Sequence, residues 1–520
     1  MSNDRFSKIF TASINGLDTD LVTVETDLTT GLPAFNLVGL AGSAVRESKE
    51  RVRAAIVNSG YEFPLRRITV NLSPADTRKD GSHFDLPIAI GILAGFARGQ
   101  IQLPSTSHTA VLGELSLDGR VGRTDLACAM VLGLKEQGID HIFLPADNIA
   151  DVCTLPGLFF YPVRELSEVV DHLFGRGEIA PVRGYPGRIV RQGGEIDESE
   201  DFFEVKGQEA VKRALLIAVS GCHDISLIGP PGVGKSMLAK RVPGIMPFLT
   251  EEESREVTKI HSIAGKIRAG SGLISERPFR TPHHSATGAA IMGGGVRPRP
   301  GELSLAHRGV LFLDELPEFD RKTLDMMRQP LEDRYIDLSR VGFKGRYPCD
   351  FLLISAMNPC PCGYYGDPKH ECRCTERERQ RYASRISGPL LDRIDIHVRL
   401  GAVEEEAFGP LSGADVHEVP PRSCMNSEEM RTLAVHTRRI QYTRNGGVFN
   451  ARLMGRAMED VCGMDDEAAD LLRSAYAHFA MSVRSRTKAL KVARTIADLE
   501  GASVIGAAHM AEALAYRRLA

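Results

Sequence analysis

Four apolar runs of strand length, ISLIG (225–229), GVLFLDE (309–315), FLLISAM (351–357) and IDIHVRL (394–400), are separated by longer stretches whose apolar positions recur at helical spacing. That alternation predicts a parallel sheet with helices on both faces. Downstream, NSEEMRTLAVHTRRIQY (426–442) and MDDEAADLLRSAYAHFA (464–480) open on capping residues followed by acids, which predicts an all-helical segment. The longest apolar run, DLPIAIGILAGFA (85–97), is too short to span a bilayer.

Two stretches interrupt the periodicity. Residues 181–201 and 401–425 are rich in Gly, Pro and acids and read as linkers. They divide the chain into 1–180, 202–400 and 426–520, in keeping with about three domains for 520 residues. At 43% hydrophobic and 25% charged residues the composition is that of a folded globular protein, which excludes disordered and fibrous classes. A net charge of −3 provides no global basic footprint, so any nucleic-acid contact has to come from local basic patches. The N-terminus MSNDRFSKIF lacks an apolar stretch of signal-peptide length, and a cytoplasmic protein with no membrane partner is expected.

The candidate chemistry sits at the ends of the predicted strands. Gly229, Pro230, Pro231, Gly232, Val233, Gly234, Lys235 and Ser236 form GPPGVGKS, with Met237 opening the helix-compatible stretch that follows. A strand, this loop and a helix are the context a phosphate loop demands, because the glycines let backbone N–H groups turn inward toward a phosphate. Lys235 would reach the β- and γ-phosphates of ATP, and Ser236 would hold Mg²⁺. Asp314 and Glu315 close the run GVLFLDE, where Asp314 would orient the water shell of the Mg²⁺ and Glu315 would polarise the attacking water. Asn358 ends the next strand with an amide suited to positioning water or the γ-phosphate. Arg393 in SGPLLDRIDIHV could enter a neighbouring subunit's site, or could pair with Asp392 or Asp395. Arg484 could reach the γ-phosphate from the lid, or be an exposed helical arginine.

The stretch MNPCPCGYYGDPKHECRC (357–374) holds four of the ten cysteines as two C-x-C pairs. In a reducing compartment such a cluster favours metal ligation over a disulfide. Cys360, Cys362, Cys372 and Cys374 are expected to bind one structural Zn²⁺ as four thiolates. His370 is an alternative ligand, and buried free thiols or a redox pair are the competing readings.

Together, GPPGVGKS, PFRTPHHSATGAAIMGGGVRPRPGELSLAHRGVLFLDELPEF, AMNPCPCGYYGDP, SGPLLDRIDIHV and LKVARTIADLEG resemble the ComM-like (YifB) family of magnesium-chelatase-type AAA+ ATPases. The resemblance covers nearly the whole chain. It implies an α/β fold: an AAA+ phosphate-loop core with a parallel sheet, preceded by an α+β Lon-protease-like domain and followed by an all-helical lid. It also implies a homo-hexameric ring ATPase with two insertions in the core. One falls around 288–301, with Arg297 and Arg299, and the other is a hairpin around 337–350, with Arg340, Lys344 and Arg346. These five residues are the expected DNA contacts. By the same matching Asn358 is similar to the first sensor, Arg393 to the arginine finger and Arg484 to the second sensor. The activity implied is a DNA helicase driving branch migration on single-stranded or branched DNA during natural transformation.

Within the first 180 residues, NLSPADTRKDGSHFDLPIAIGIL and TAVLGELSLDGRVGRTD resemble the Lon protease domain, whose nucleophile lies in a D-G-P-S-A-G context. The matching run here is Asp80 to Asp85, where His83 occupies the nucleophile's place, Ser82 is one position off and the partner lysine is missing from GRVGRTDLACAM. A serine–lysine pair acts only when both members are in reach, so a non-proteolytic domain is expected. The competing functions are therefore a chelatase-like remodeller of a protein partner and, behind it, an ATP-dependent protease.

Overall fold

The computed structural model describes residues 5–97, 108–185, 201–267, 270, 272–295, 298–340, 343–401, 425–478 and 481–517, with the backbone alone for 340, 343 and 344. The chain divides into two compact units. One comprises Met1–Arg191 with Thr250–Ser275 and Asp337–Tyr347. The other comprises Gln192–Leu249, Glu276–Ile336 and Pro348–Ala520.

The first unit is built on an eight-stranded sheet. Its order is Val182–Arg183, Phe159–Val163, His141–Pro145, Thr109–Val111, Phe6–Asn15, Asp18–Thr29, Arg67–Ser73 and Ala34–Val38. In Asp18–Thr29 burial alternates along most of the strand, the period-two signature of a sheet with one face covered. The helix Asp85–Phe96 packs on this sheet and is buried along most of its length, so the longest apolar run is a core helix. Among the described residues no helix is long and apolar enough to cross a membrane. Val182–Arg183, at the head of the stretch read as a linker, is one of the two edge strands of this sheet, whereas residues 402–424 of the second predicted linker lie outside the described residues. The unit also takes in the helix Glu251–Ile263. That helix starts on a Thr250/Glu253 capping box, lies against the helix Ala127–Glu136 and brings Lys259 Nζ to 3.6 Å from Glu136.

The second unit holds a five-stranded sheet in the order Phe279–Arg280, Val310–Leu313, Leu352–Met357, Ile225–Ile228 and Ile396–Arg399. All its pairings are parallel. Ile225, Leu227, Val310, Ile354 and Ile396 have no solvent exposure, which explains why these strands read as continuous apolar runs: parallel sheets are covered on both faces. Because every strand points the same way, their carboxyl ends share one edge, where ligands bind in such sheets. The C-terminal part of the unit is helical: Ser427–Arg444, Gly455–Val461, Asp466–His478, Val483–Leu499 and Ala507–Ala515. It is tied to the core by Arg438, which donates to the Val219 carbonyl, and by His397 N–H, which donates to the Tyr516 carbonyl.

Candidate nucleotide site

At the carboxyl edge of the five-stranded sheet the loop after Ile225–Ile228 turns at Gly232 and Gly234 (φ +79° and +89°) before the helix Lys235–Ile245. Side chains with a Cβ are strained in that region, so the curl that aims N–H groups inward depends on glycine. The buried Lys235 ammonium donates to the carbonyls of Gly229 (2.6 Å) and Pro230 (2.8 Å) and to Asn358 Oδ1 (3.0 Å). Burial draws its pKa down, with Asp314 pulling the other way. Ser236 Oγ donates to Asp314 Oδ2 at 2.7 Å, and Asp314 Oδ1 accepts from the Glu315 N–H at 2.9 Å. A hydroxyl and a carboxylate so arranged fit Mg²⁺, a hard cation that takes oxygen ligands and keeps much of its water shell.

Lys235, Asp314, Glu315 and Asn358 all line one cavity of about 440 Å³. Val233 is partly buried against the core, and Met237 is exposed at the start of the helix. Glu318, Arg381, Tyr382 and Arg385 also line this cavity and were given no role in the sequence. The last three belong to or follow the helix Glu376–Ala383, whose Thr375/Glu378 capping box was the one readable signal. His284 was also missed, and its Nδ1 lies 3.2 Å from Glu315 Oε2.

Arg393 and Arg484 are absent from the described walls of this cavity. Both reach Glu332 instead, Arg393 Nη2 at 2.9 Å and Arg484 Nη2 at 2.5 Å. Arg393 donates further to the carbonyls of Arg328 and Pro389. Its ion pair is therefore with neither Asp392 nor Asp395, because the latter is already held by Lys488 and His223.

The four cysteines converge. All four sulfurs lie within 4.8 Å of one another, Cys360 being 3.3 Å from Cys362 and 3.6 Å from Cys372. The Tyr364 N–H draws the Cys362 thiol down to about 6, whereas Cys374 is pushed up to about 12, the Cys362 N–H being outweighed by burial and the neighbouring thiols. Thiols this close cannot all ionise unless a cation neutralises them, and four sulfurs suit tetrahedral zinc. His370 stays outside the cluster, 62% exposed, with its ring against Tyr364 and Nδ1 3.4 Å from Asp367. The loop also touches the nucleotide site directly. A Cβ on Gly363 (φ +89°) would lie 2.6 Å from Pro231 Cδ, so only glycine permits this approach.

Of the candidate DNA contacts, Arg299 is exposed on a strand, Arg299–Pro300, paired with Gly293–Gly294. Arg346 lies in the two-stranded sheet of Tyr335–Arg340 and Phe343–Pro348, with its Nε 2.8 Å from Asp337 Oδ1. Arg297 and the side chains of Arg340 and Lys344 lie outside the described residues. In the first unit Ser82 Oγ donates to the carboxylate of Glu114, and His83 is buried with Nε2 2.9 Å from the Ala12 carbonyl. Burial lowers the His83 pKa to about 4.

Residues 201–408 match "Magnesium chelatase, subunit ChlI", 24–148 match "Subunit ChlI of Mg-chelatase", and 424–517 match "Magnesium chelatase, subunit ChlI C-terminal". The uncharacterized protein YifB of Salmonella typhimurium is 39% identical over 98% of this chain and 97% of its own. The competence protein ComM of Haemophilus influenzae is 37% identical over 98% of this chain and 97% of its own. The chain belongs to the ComM-like (YifB) family of magnesium-chelatase-type AAA+ proteins. Lon protease 2 of Bacillus subtilis is similar over a shorter stretch, 28% identical across 31% of this chain and 33% of its own. A family member built this way joins an AAA+ core and a helical C-terminal region to a Lon-like part.

Proposed function

We propose that this protein is a Mg²⁺-dependent ATPase that assembles as a hexamer and works as a cytoplasmic DNA helicase, driving branch migration during natural transformation. The observation that carries the ATPase reading is the convergence of Lys235, Ser236, Asp314 and Asn358 at one sheet edge, with Glu315 on the same cavity. Lys235 would hold the β- and γ-phosphates, Ser236 and Asp314 the Mg²⁺, Glu315 the attacking water, and Asn358 the γ-phosphate. The DNA reading is supported by full-length similarity to a competence protein and by exposed arginines such as Arg299 and Arg346 on short two-stranded sheets. The Arg346–Asp337 pair is exposed and costs little to exchange for a phosphate contact. The proteolytic alternative is disfavoured because Ser82 bonds a carboxylate, which offers no base of the Lon type.

Hydrolysis measured with and without single-stranded or branched DNA tests this reading. Lys235→Ala should fall to background, whereas Glu315→Gln should bind ATP without turnover, because its charge is needed mainly in the transition state. DNA should stimulate the parent. Neutralising Arg297, Arg299, Arg340, Lys344 and Arg346 should weaken binding, each lost contact lowering the slope of log affinity against log salt by about 0.7 on single strands. A parental rate in Lys235→Ala would reject the ATPase assignment. Intact hydrolysis with no DNA response would leave a remodeller of a protein partner.

A further inference from the structure

The nucleotide cavity has a neighbour. A hollow of about 400 Å³ lies beside it, and Glu318, Arg381 and Arg385 form walls of both. The outer hollow adds Arg321, with apolar surface from Pro317 and the buried Phe319. Its charged side chains are therefore three arginines against one glutamate, a balance that suits a small dianion.

The acids near these arginines are already engaged. Glu378 Oε2 accepts from the Thr375 N–H at 2.8 Å and from its hydroxyl at 2.9 Å, which spends that carboxylate on capping a helix. Glu318 Oε1 lies 2.5 Å from Arg385 Nη1. Arg381 is left over: its exposed guanidinium has neither a hydrogen bond nor an ion pair among the described residues. Arg381 lies in the last turn of the helix Glu376–Ala383, and the Arg385 N–H continues that turn by donating to the Tyr382 carbonyl. A spacing of four residues in such a turn sets the two side chains on one face. The Arg385–Glu318 pair is about half exposed at both ends, 49% and 45%, and pairs of that kind contribute little. Its guanidinium can therefore exchange the carboxylate for a phosphate, which it binds through two parallel N–H groups.

We propose that Arg321, Arg381 and Arg385 form an orthophosphate subsite beside the nucleotide cavity, which takes up the phosphate ion after hydrolysis and passes it outward. The proposal rests on the ATPase reading, which sets the γ-phosphate beside Lys235 and Asn358 in the inner cavity. Once water has added to the γ-phosphorus and the electron pair of the broken bond has left on ADP, the ion sits near the acids Asp314 and Glu315. Arg381 and Arg385, shared by both cavities, offer it a counter-charge on the way out, and Arg321 offers the next. No bond is made or broken at the subsite. Arg385 releases Glu318 as it takes the ion, and the pair re-forms when the ion leaves.

The test uses the full-length protein in steady-state ATP hydrolysis, with inorganic phosphate added as product inhibitor. Arg381→Gln and Arg321→Gln should each raise the inhibition constant for phosphate about tenfold, the loss expected for one hydrogen bond to a charged group. Arg381→Lys, which keeps a point charge, should recover part of that loss. Arg321 borders the outer hollow and not the nucleotide cavity, so Arg321→Gln should leave the affinity for a non-hydrolysable ATP analogue unchanged. Parental phosphate inhibition in Arg381→Gln and Arg321→Gln, or a hydrolysing parent that phosphate does not inhibit, would overturn the proposal. So would a loss of analogue affinity in Arg321→Gln as large as its loss of phosphate inhibition. A parent that releases no phosphate from ATP would instead bring down the ATPase reading beneath it.

Discussion

Lys488 reaches from the helix Val483–Leu499 to Asp395 and to the carbonyl of Arg393, while His223 Nδ1 lies 2.9 Å from the other oxygen of Asp395. His223 closes the set with Nε2 2.8 Å from Thr495 Oγ1. Burial opposes ionisation of Asp395, yet the Lys488 ammonium and the His223 ring outweigh it and hold the carboxyl well below its ordinary range. A charge so buried depends on its partner. Lys488→Met should therefore cost about 3–5 kcal/mol of stability, read as the shift of a denaturant midpoint; a cost below about 1 kcal/mol would mean that the pair is solvated. The sign of the pH effect follows from the depressed folded-state pKa. The contribution of Asp395 is complete above the ordinary carboxylate value of about 4 and is lost as pH falls below it. Nothing in DRIDIHV identifies this aspartate as a core residue, because burial of an acid is decided by distant partners, here His223 and Lys488.

The cysteine loop and the helix Glu376–Ala383 act together. Gly363 abuts Pro231, Arg379 lies over the Tyr365 ring and donates to the Cys374 carbonyl, and Tyr382 lines the same cavity as Asn358. The loop thus touches the phosphate loop, and the helix shares a cavity wall with the residue that follows the strand Leu352–Met357. Metal analysis of protein purified without chelator should give about one zinc per chain. The content should drop in Cys372→Ser/Cys374→Ser and persist in His370→Ala. Stripping the metal should also lower ATP hydrolysis, since binding free energy is folding free energy for such a loop; metal-free protein at full activity would reject the site. The four-sulfur cluster was legible from C-x-C spacing alone. The position of His370 outside that cluster was not, because its ring turns to Tyr364 and Asp367.

On the scale of the whole molecule, Arg393 and Arg484 meet on Glu332 and are absent from the described walls of the nucleotide cavity, so a finger role for Arg393 calls for a neighbouring subunit's site. Mixing Arg393→Ala chains with Lys235→Ala chains should restore part of the hydrolysis each lacks, because a mixed ring holds interfaces with both residues intact. No recovery under assembling conditions would argue against action in trans. The sequence by itself determined the phosphate loop, the parallel strands, the acids at their ends, the four-sulfur cluster and the helical C-terminal region. Each is encoded locally, in glycines at positive φ, in two-sided burial that yields continuous apolar runs, and in capping residues. Tertiary structure alone decided that Thr250–Ser275 belongs to the first unit, that His284 meets Glu315, and that two arginines share Glu332. Those outcomes depend on which side chains are brought within a few ångströms of one another, a distance that spacing along the chain does not carry.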